Sequence, residues 1–466
     1  MESVRESKML ALFVPCFAVV AAPAQSFTTL LSFSESMGGN PGPGSLVQGI
    51  DGNLYGVAFY GGLEGDGTVF KITPAGTLSR FHSFRGTADD SHPTGLVLDP
   101  NGNLYGTTNA GGAQSSTCNY TDECGTIFGF TSEGTIFTLH TFDGLDGSFP
   151  NGLTLGRDSN LYGTTQSGAI FRISPNSGFK FTLLHTLAAS EGAGPNGVLL
   201  QGANGNFYGT ATSGGRYGDG TVFQVTPAGT VTTIHNFDYT DGAVPSGALV
   251  QAANGNLYGV TLAGGSSGDG TVFSVSPGGR TFQTVYEFQG GSDGGDPNTG
   301  LVLGADGNFY GATTAGGGAS GTGELFEVTP GGILTGLQAF DGASEGGRYP
   351  TLMQATTGIF YGTTLEYGAN SNCPENGCGT AFTLSNGLSP FVAAVPPSRG
   401  VGTKVLLLGQ SFTGTTSVTF NGVSAEFTVN SDTEITTFVP VGATTGNVQV
   451  TTPTGTLSTK VLFVVS

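Results

Sequence analysis

The sequence predicts an all-β protein: a seven-bladed β-propeller followed by a small β-sandwich. Glycine fills 82 of 466 positions without a Gly-X-Y period, tryptophan is absent and only 10% of residues are charged. That composition fits short strands joined by tight turns better than a helical enzyme. A Tyr-Gly pair recurs at Tyr55, Tyr105, Tyr162, Tyr208, Tyr258, Tyr310 and Tyr361, with spacings of 50, 57, 46, 50, 52 and 51 residues. Thr-Val-Phe or a close variant follows each tyrosine, ending at Phe70, Phe128, Phe171, Phe223, Phe273, Phe326 and Phe382. Two anchors locked in register over seven copies mark one supersecondary unit per copy.

At the start, Arg5 and Lys8 precede an apolar run over 9–22 and small residues ending at Ala24. These are the three parts of a secretory signal peptide, residues 1–24, with cleavage expected after Ala24. Lipid attachment at Cys16 is the weaker alternative, because Val14-Pro15 is not the small-residue context it needs. No second run approaches the 18 apolar residues of a membrane span. Four further cysteines form two close pairs in polar loops, Cys118 with Cys124 and Cys373 with Cys378. In an oxidising compartment such pairs read as local disulfides; zinc is the alternative, but neither pair has the two-residue spacing of a zinc knuckle. The net charge of −19, from 14 basic and 33 acidic residues, repels phosphate backbones and anionic lipids and so excludes nucleic acid as an expected partner.

Residues 95–142 illustrate the unit, with strands expected over 95–98, 103–108, 125–131 and 135–142. Asp51-Gly52, Asn101-Gly102, Asn204-Gly205, Asn254-Gly255 and Asp306-Gly307 are tight-hairpin signals in the first connection. Thr73-Pro74-Ala75-Gly76 and Thr226-Pro227-Ala228-Gly229 supply equally short third connections. Each unit is thus an antiparallel meander, and closing seven into a ring removes long exposed edges. The seventh copy stops after its third strand at Leu384, whereas residues 27–33 resemble the fourth strand that ends at Phe84, Phe142 and Phe237. The N-terminal strand is therefore expected to complete the last blade.

First and third connections share one face of such a ring; second and between-blade connections share the other. The tyrosine-to-phenylalanine separations of 15, 23, 9, 15, 15, 16 and 21 make the second face the variable one. Its longest loops, in copies two and seven, carry the cysteine pairs and flank copy one. Variable loops on a rigid scaffold are where binding is expected.

After Asn386-Gly387 the repeat ends, bounding the propeller at 25–387, and Pro390, Pro396 and Pro397 open a second domain, 388–466. Its three basic residues, Arg399, Lys404 and Lys460, balance Glu426, Asp432 and Glu434, so the acidity belongs to the propeller. Alternating segments at 404–408, 417–420, 425–429, 434–439, 446–451 and 458–465 read as six or seven strands of a sandwich.

Two resemblances follow from these segments. The recurring Gly-Asn-Leu-Tyr-Gly, Gly-Gly, Gly-Asp-Gly-Thr-Val-Phe and Thr-Pro-Ala-Gly-Thr pieces, as at 52–77, make residues 43–384 similar to the GloVer tandem repeats of bacterial exported proteins. Residues 388–466 resemble an IPT/TIG domain, an immunoglobulin-like sandwich, through Gly400-Val401-Gly402-Thr403-Lys404-Val405, Gly409-Gln410-Ser411-Phe412, Val418-Thr419-Phe420-Asn421-Gly422 and Val439-Pro440. Together they imply a secreted or cell-surface bacterial protein, with no visible anchor and no biochemical activity carried over from the repeat family.

The candidate site residues lie on the variable face. Asp66, Asp219 and Asp269 recur in Gly-Asp-Gly loops and are candidate calcium ligands, although no Asp-x-Asp-x-Asp-Gly run is present and the motif is also an ordinary turn. No other cofactor is expected. Asp143, Asp146, Asp241, Asp293 and Asp341 recur in between-blade connections. His82, His140, His185 and His235 share one repeat position, where other copies have Tyr286, Gln338 and Leu31, which assigns them to packing. His92 falls outside that period beside Asp89 and Asp90, in a loop that also reads as simply solvated. The seven tyrosines are expected to be buried equivalents and not a sugar platform. No nucleophile elbow, phosphate loop, His-Glu-x-x-His or Rossmann fingerprint is present. The leading expectation is a monomeric, non-enzymatic binding or surface-interaction protein whose ligand is a glycan or an extracellular protein. The alternatives are a polysaccharide-acting hydrolase or lyase, with an acid and a base at the pore mouth, and a purely structural envelope component.

Overall fold

The computed structural model describes residues 25–42, 46–86, 91–112, 118, 123–131, 134–370, 373 and 377–466. The expected signal peptide and its cleavage point lie outside these residues, as do Asp89 and Asp90. The described chain is all-β apart from a single 3-10 turn at Pro175–Ser177. No helix among the described residues is long and apolar enough to cross a membrane.

Each repeat folds into an antiparallel sheet of consecutive strands. In the second these are Ser91–Leu98, Leu104–Ala110, Thr126–Phe130 and Ile136–Thr141, paired in chain order. Seven such sheets occupy residues 26–385 among the described residues. The first differs slightly, because Gly39–Pro41 and Val47–Gln48 share the edge of Leu54–Tyr60. In the last, Ser26–Ser32 pairs with Thr380–Ser385, setting Phe27 opposite Leu384 and Ser32 opposite Thr380.

Steric coupling explains both sequence anchors. Gly106 lies opposite Phe128 in the ladder, and a Cβ there would sit 2.4 Å from the Phe128 ring; Gly56 with Phe70 and Gly163 with Phe171 repeat that distance. Only glycine leaves room for the phenylalanine to fold back over the second strand. The neighbouring tyrosine is fastened to the first hairpin: Tyr55, Tyr105, Tyr162 and Tyr310 donate their hydroxyls to Asp51, Asp99, Asp158 and Asp306. Burial, together with these carboxylates, pushes the Tyr105 and Tyr162 hydroxyls up to about 12. Tyr105, Tyr162, Tyr208, Tyr258, Tyr310 and Tyr361 are buried, as packing positions should be, whereas Tyr55 is only partly buried, where Lys71 lies over its ring.

Consecutive repeats interlock through a device the sequence reading did not single out. The glycine before each Thr-Val-Phe takes a positive φ, 83 to 101° across all seven copies. Its carbonyl accepts the N–H of the residue ending the fourth strand: Phe84, Phe142, Leu187, Phe237, Phe288, Phe340 and, in the last sheet, Phe33. Against this glycine packs a proline of the following repeat. A Cβ on Gly220 would lie 2.5 Å from Pro245 Cδ, on Gly67 2.6 Å from Pro93 and on Gly379 2.9 Å from Pro41. The last of these joins the seventh sheet to the first, where Asn40 N–H also donates to Cys378 O at 3.1 Å.

Residues 388–466 form two four-stranded antiparallel sheets and a parallel pair, Ser398–Arg399 with Val464–Val465. Val405, Leu407, Phe412, Val418, Phe420, Ile435, Val448 and Val450 form their common core. The strand expected over 458–465 is broken in two. Gly455–Ser458 pairs within its sheet, whereas Lys460 turns out to donate to Leu303 O and Gln354 Oε1 at 3.0 and 3.4 Å. This unit is seated on the tight-turn face of the repeats. Thr433 donates to Ile50 O, Lys404 to Asn101 Oδ1, and the buried Arg399 to Arg157 O and Ser159 Oγ. Leu406 and Leu408 join a core cluster with Val57, Phe84 and Phe128. Contacts to the first, second, third, sixth and seventh repeats leave the variable face as the uncovered end.

Candidate rim site

At the start of each repeat, one residue before the proline that leads into its first strand, the backbone enters the left-handed region: Asn40, His92, Phe149, Gly194, Val244, Asp296 and, in the last repeat, Tyr349 together with Arg348 before it, all with φ between 47 and 61°. Six of these eight positions anchor the repeat junctions. The N–H groups of Asn40, His92, Phe149, Val244, Asp296 and Arg348 donate to Cys378, Asp66, Cys124, Asp219, Asp269 and Thr322 carbonyls at 2.9 to 3.1 Å. Left-handed backbone costs a non-glycine residue about 1 kcal/mol or more. Here the adjoining repeat over-determines it. The backbone conformation recurs while the side chain does not: amide, imidazole, phenyl, hydrogen, isopropyl and carboxylate follow one another around the variable face, with guanidinium and phenol in the last repeat.

This geometry explains the Gly-Asp-Gly loops. Asp66, Asp219 and Asp269 occupy equivalent places in three different repeats, and their main-chain carbonyls hold the next repeat. The structure does not bring the three together. Among the described residues, no group of three or more His, Cys, Asp or Glu side chains could hold a metal ion. Asp269 instead lies beside Asp296, whose carboxyl is raised by burial and by Asp269.

The between-repeat aspartates fasten the loops to the fourth strands. His140 Nε2 meets Asp146 Oδ2 at 2.7 Å, His185 meets Glu191 at 2.8 Å and His235 meets Asp241 at 2.9 Å. In the fifth repeat Tyr286 donates to Asp293 at 2.9 Å. Burial opposes ionisation of Asp146, but hydrogen bonds from His140 and the Asp143 backbone hold it below the usual carboxylate range. Asp143 Oδ1 accepts from the Leu145 and Asp146 amides, and Asp341 from Ala343, Ser344 and Glu345. The histidines do pack as expected: His140 stacks on Phe181 at 3.7 Å and His235 on Phe282 at 3.6 Å. Their carboxylate clasp was not foreseen, although the six-residue offset from His to acid is visible in three copies.

Both expected disulfides form, Cys118–Cys124 and Cys373–Cys378, with Cα separations of 5.3 and 5.5 Å. Cys378 packs with Phe33, Leu46 and Phe70 where the last sheet meets the first. His92 sits half-buried; burial lowers its imidazole below the ordinary histidine value, against the opposing charges of Asp66 and Glu123. Arg348 reaches Glu366 at 3.8 Å.

One buried carboxyl went unnoticed in the sequence. Glu324 stands where other repeats have Thr68, Thr126, Thr221, Thr271 and Thr380. Those hydroxyls satisfy the preceding loop, as Thr221 does with Glu191 O at 2.7 Å and Thr380 with Glu345 O at 2.9 Å. Glu324 is 4% exposed, and its Oε1 has no hydrogen-bond partner among the described residues. Space for the longer side chain comes from Gly336, where a Cβ would lie 3.2 Å from Glu324 Oε2. Burial, and then the Asp293 carboxylate, push Glu324 up to about 7.

The family model of the Gloeobacter/Verrucomicrobia repeat matches residues 17–169 and 165–382. No curated protein matches the chain by sequence. Among solved structures it is similar to virginiamycin B lyase from Staphylococcus aureus, with a TM-score of 0.52 and 14% identity over 78% of this chain and 99% of that one. A gluconolactonase from Xanthomonas campestris aligns with a TM-score of 0.40 and 14% identity over 78% of this chain and 90% of that one. The likeness to the lyase is one of fold, of the propeller type. On its repeats, the chain belongs to the Gloeobacter/Verrucomicrobia repeat family.

Proposed function

We propose that this is an exported, non-enzymatic recognition protein: a closed seven-bladed propeller completed by its N-terminal strand and carrying an IPT/TIG immunoglobulin-like sandwich. Its ligand, a glycan or an extracellular protein, is held at the mouth of the variable face. The single observation that carries the reading is the rim itself. A left-handed backbone position recurs beside the proline that opens every repeat, and in six of the seven its N–H closes a repeat junction, yet its side chain changes from Asn40 to His92, Phe149, Gly194, Val244, Asp296 and, in the last repeat, Arg348-Tyr349. A scaffold that holds geometry constant while varying chemistry is organised for contact with something else. The sandwich covers the opposite face, and the two disulfides beside the rim suit an oxidising location.

The enzyme alternative keeps one observation in its favour: Asp296 N–H donates to the Asp269 carbonyl at 2.9 Å, and burial, with the Asp269 charge, raises the Asp296 carboxyl. Binding of surface glycans or proteins to residues 25–466, measured by calorimetry with product detection, tests the choice. Turnover that disappears in Asp269→Asn or Asp296→Asn would overturn the recognition reading.

A further inference from the structure

Four and five residues after the tyrosine, at or just past the end of the second strand, the repeats carry small, polar or aliphatic pairs: Asn109-Ala110, Gln166-Ser167, Thr212-Ser213, Leu262-Ala263, Thr314-Ala315 and Leu365-Glu366. The first repeat has Phe59-Tyr60 instead. At the adjoining rim position stands His92, the sole imidazole among the rim residues of the seven repeats. These independent departures from the repeat meet in space. Phe59 stacks on His92 at 4.7 Å with planes 29° apart, and Tyr60 meets Phe59 edge-on at 4.8 Å and His92 at 5.2 Å.

Folding does not require this cluster, since the second, fourth and fifth repeats carry the second strand to the same end, at Ala110, Ser213 and Ala263, without it. It is also not sealed into the core: Tyr60 is 50% exposed and His92 half-buried. Rigid aromatic faces left open to water bind ligands that are flat and apolar on one side. The carboxylate of Asp66, whose charge is felt at His92, supplies hydrogen-bond acceptors but no donors when ionised. Such acceptors suit hydroxyl groups and oppose anions, as does the overall charge of −19. A neutral sugar ring has an apolar C–H face and a rim of hydroxyl donors, and so meets both requirements.

We infer that Phe59, Tyr60 and His92 form a platform on which a neutral oligosaccharide stacks, with Asp66 accepting its hydroxyls. The inference rests on the recognition reading and names the ligand class for that rim. It is tested by titrating residues 25–466 with cellohexaose, laminarihexaose, mannohexaose and chitohexaose. At least one is expected to bind, and Tyr60→Ala should weaken it by about tenfold or more, equivalent to one lost stacking contact. His92→Asn, which tolerates the left-handed backbone, should weaken it several-fold. Tyr217→Ala removes a tyrosine of similar exposure, 53%, from the fourth repeat and should leave affinity within about twofold. Unchanged urea midpoints in these surface variants keep loss of binding separate from loss of folding. If an oligosaccharide binds but Tyr60→Ala and His92→Asn leave its affinity unchanged, the platform is wrong while recognition elsewhere on the rim survives. If none of the four binds, the carbohydrate assignment is overturned, and the broader reading is then decided by extracellular-protein binding.

Discussion

Glutamine at position 324 should abolish a pH dependence of stability that the wild-type chain carries. The Glu324 carboxyl is almost fully buried, with one oxygen unpartnered among the described residues; burial, and then the Asp293 charge, raise it to about 7 from an ordinary 4.5. Below pH 4.5 the carboxyl is protonated in folded and unfolded chains alike. Between 4.5 and 7 the unfolded chain releases the proton while the folded chain keeps it, so stability falls as pH rises and levels off above 7. At about 1.4 kcal/mol per pH unit the full effect is about 3 kcal/mol, and solvent screening trims it to about 2 kcal/mol. The Gln variant keeps the shape and cannot titrate. Urea unfolding of both proteins from pH 4.5 to 8, followed by circular dichroism, should show the variant gaining about 2 kcal/mol relative to wild type across that range. Parallel stability profiles would refute the argument.

Two further perturbations probe the seam between the last and first repeats. Phe33→Ala removes a fully buried ring that packs 5.0 Å from Phe70; it should cost about 3–5 kcal/mol and speed hydrogen exchange across Ser26–Ser32. A loss under about 1 kcal/mol would count against the strand closing the last sheet. Replacing Cys373 and Cys378 together by serine opens a link of sequence separation 5 and should cost about 2 kcal/mol by chain entropy, read as a lower urea midpoint. An unchanged midpoint would remove the disulfide from the account of this seam.

The repeat was legible because its two anchors are sterically coupled: Gly106 and Phe128 cannot vary independently, so their pattern survives in all seven copies. The N-terminal strand was legible for the same reason, since Phe33 must meet the carbonyl of Gly379 as Phe84 meets that of Gly67. The rim was harder to see. Its signal is a proline preceded by anything, at Pro41, Pro93, Pro150, Pro195, Pro245, Pro297 and Pro350, and a variable residue attracts no notice until the backbone shows that it is fixed. His140 and His235 read as packing residues, which they are, while their aspartates became visible as partners only once the loops folded back. Docking of the C-terminal unit had no local signature, because Arg399 and Lys460 find their partners 240 to 242 and 106 to 157 residues away. The alternating pattern over 458–465 reads as one strand, but Lys460 turns toward Leu303 within it, and two short strands, Gly455–Ser458 and Val464–Val465, are found instead.

On the function proposed above, the variable rim recognises a ligand and does not transform it. Calorimetric titration of residues 25–466 with neutral oligosaccharides, with chromatographic analysis of the same samples for cleavage products, tests it most directly. Saturable heat is expected, with the oligosaccharide recovered intact. Products that accumulate with wild-type protein and vanish with Asp269→Asn or Asp296→Asn would contradict it and identify an enzyme.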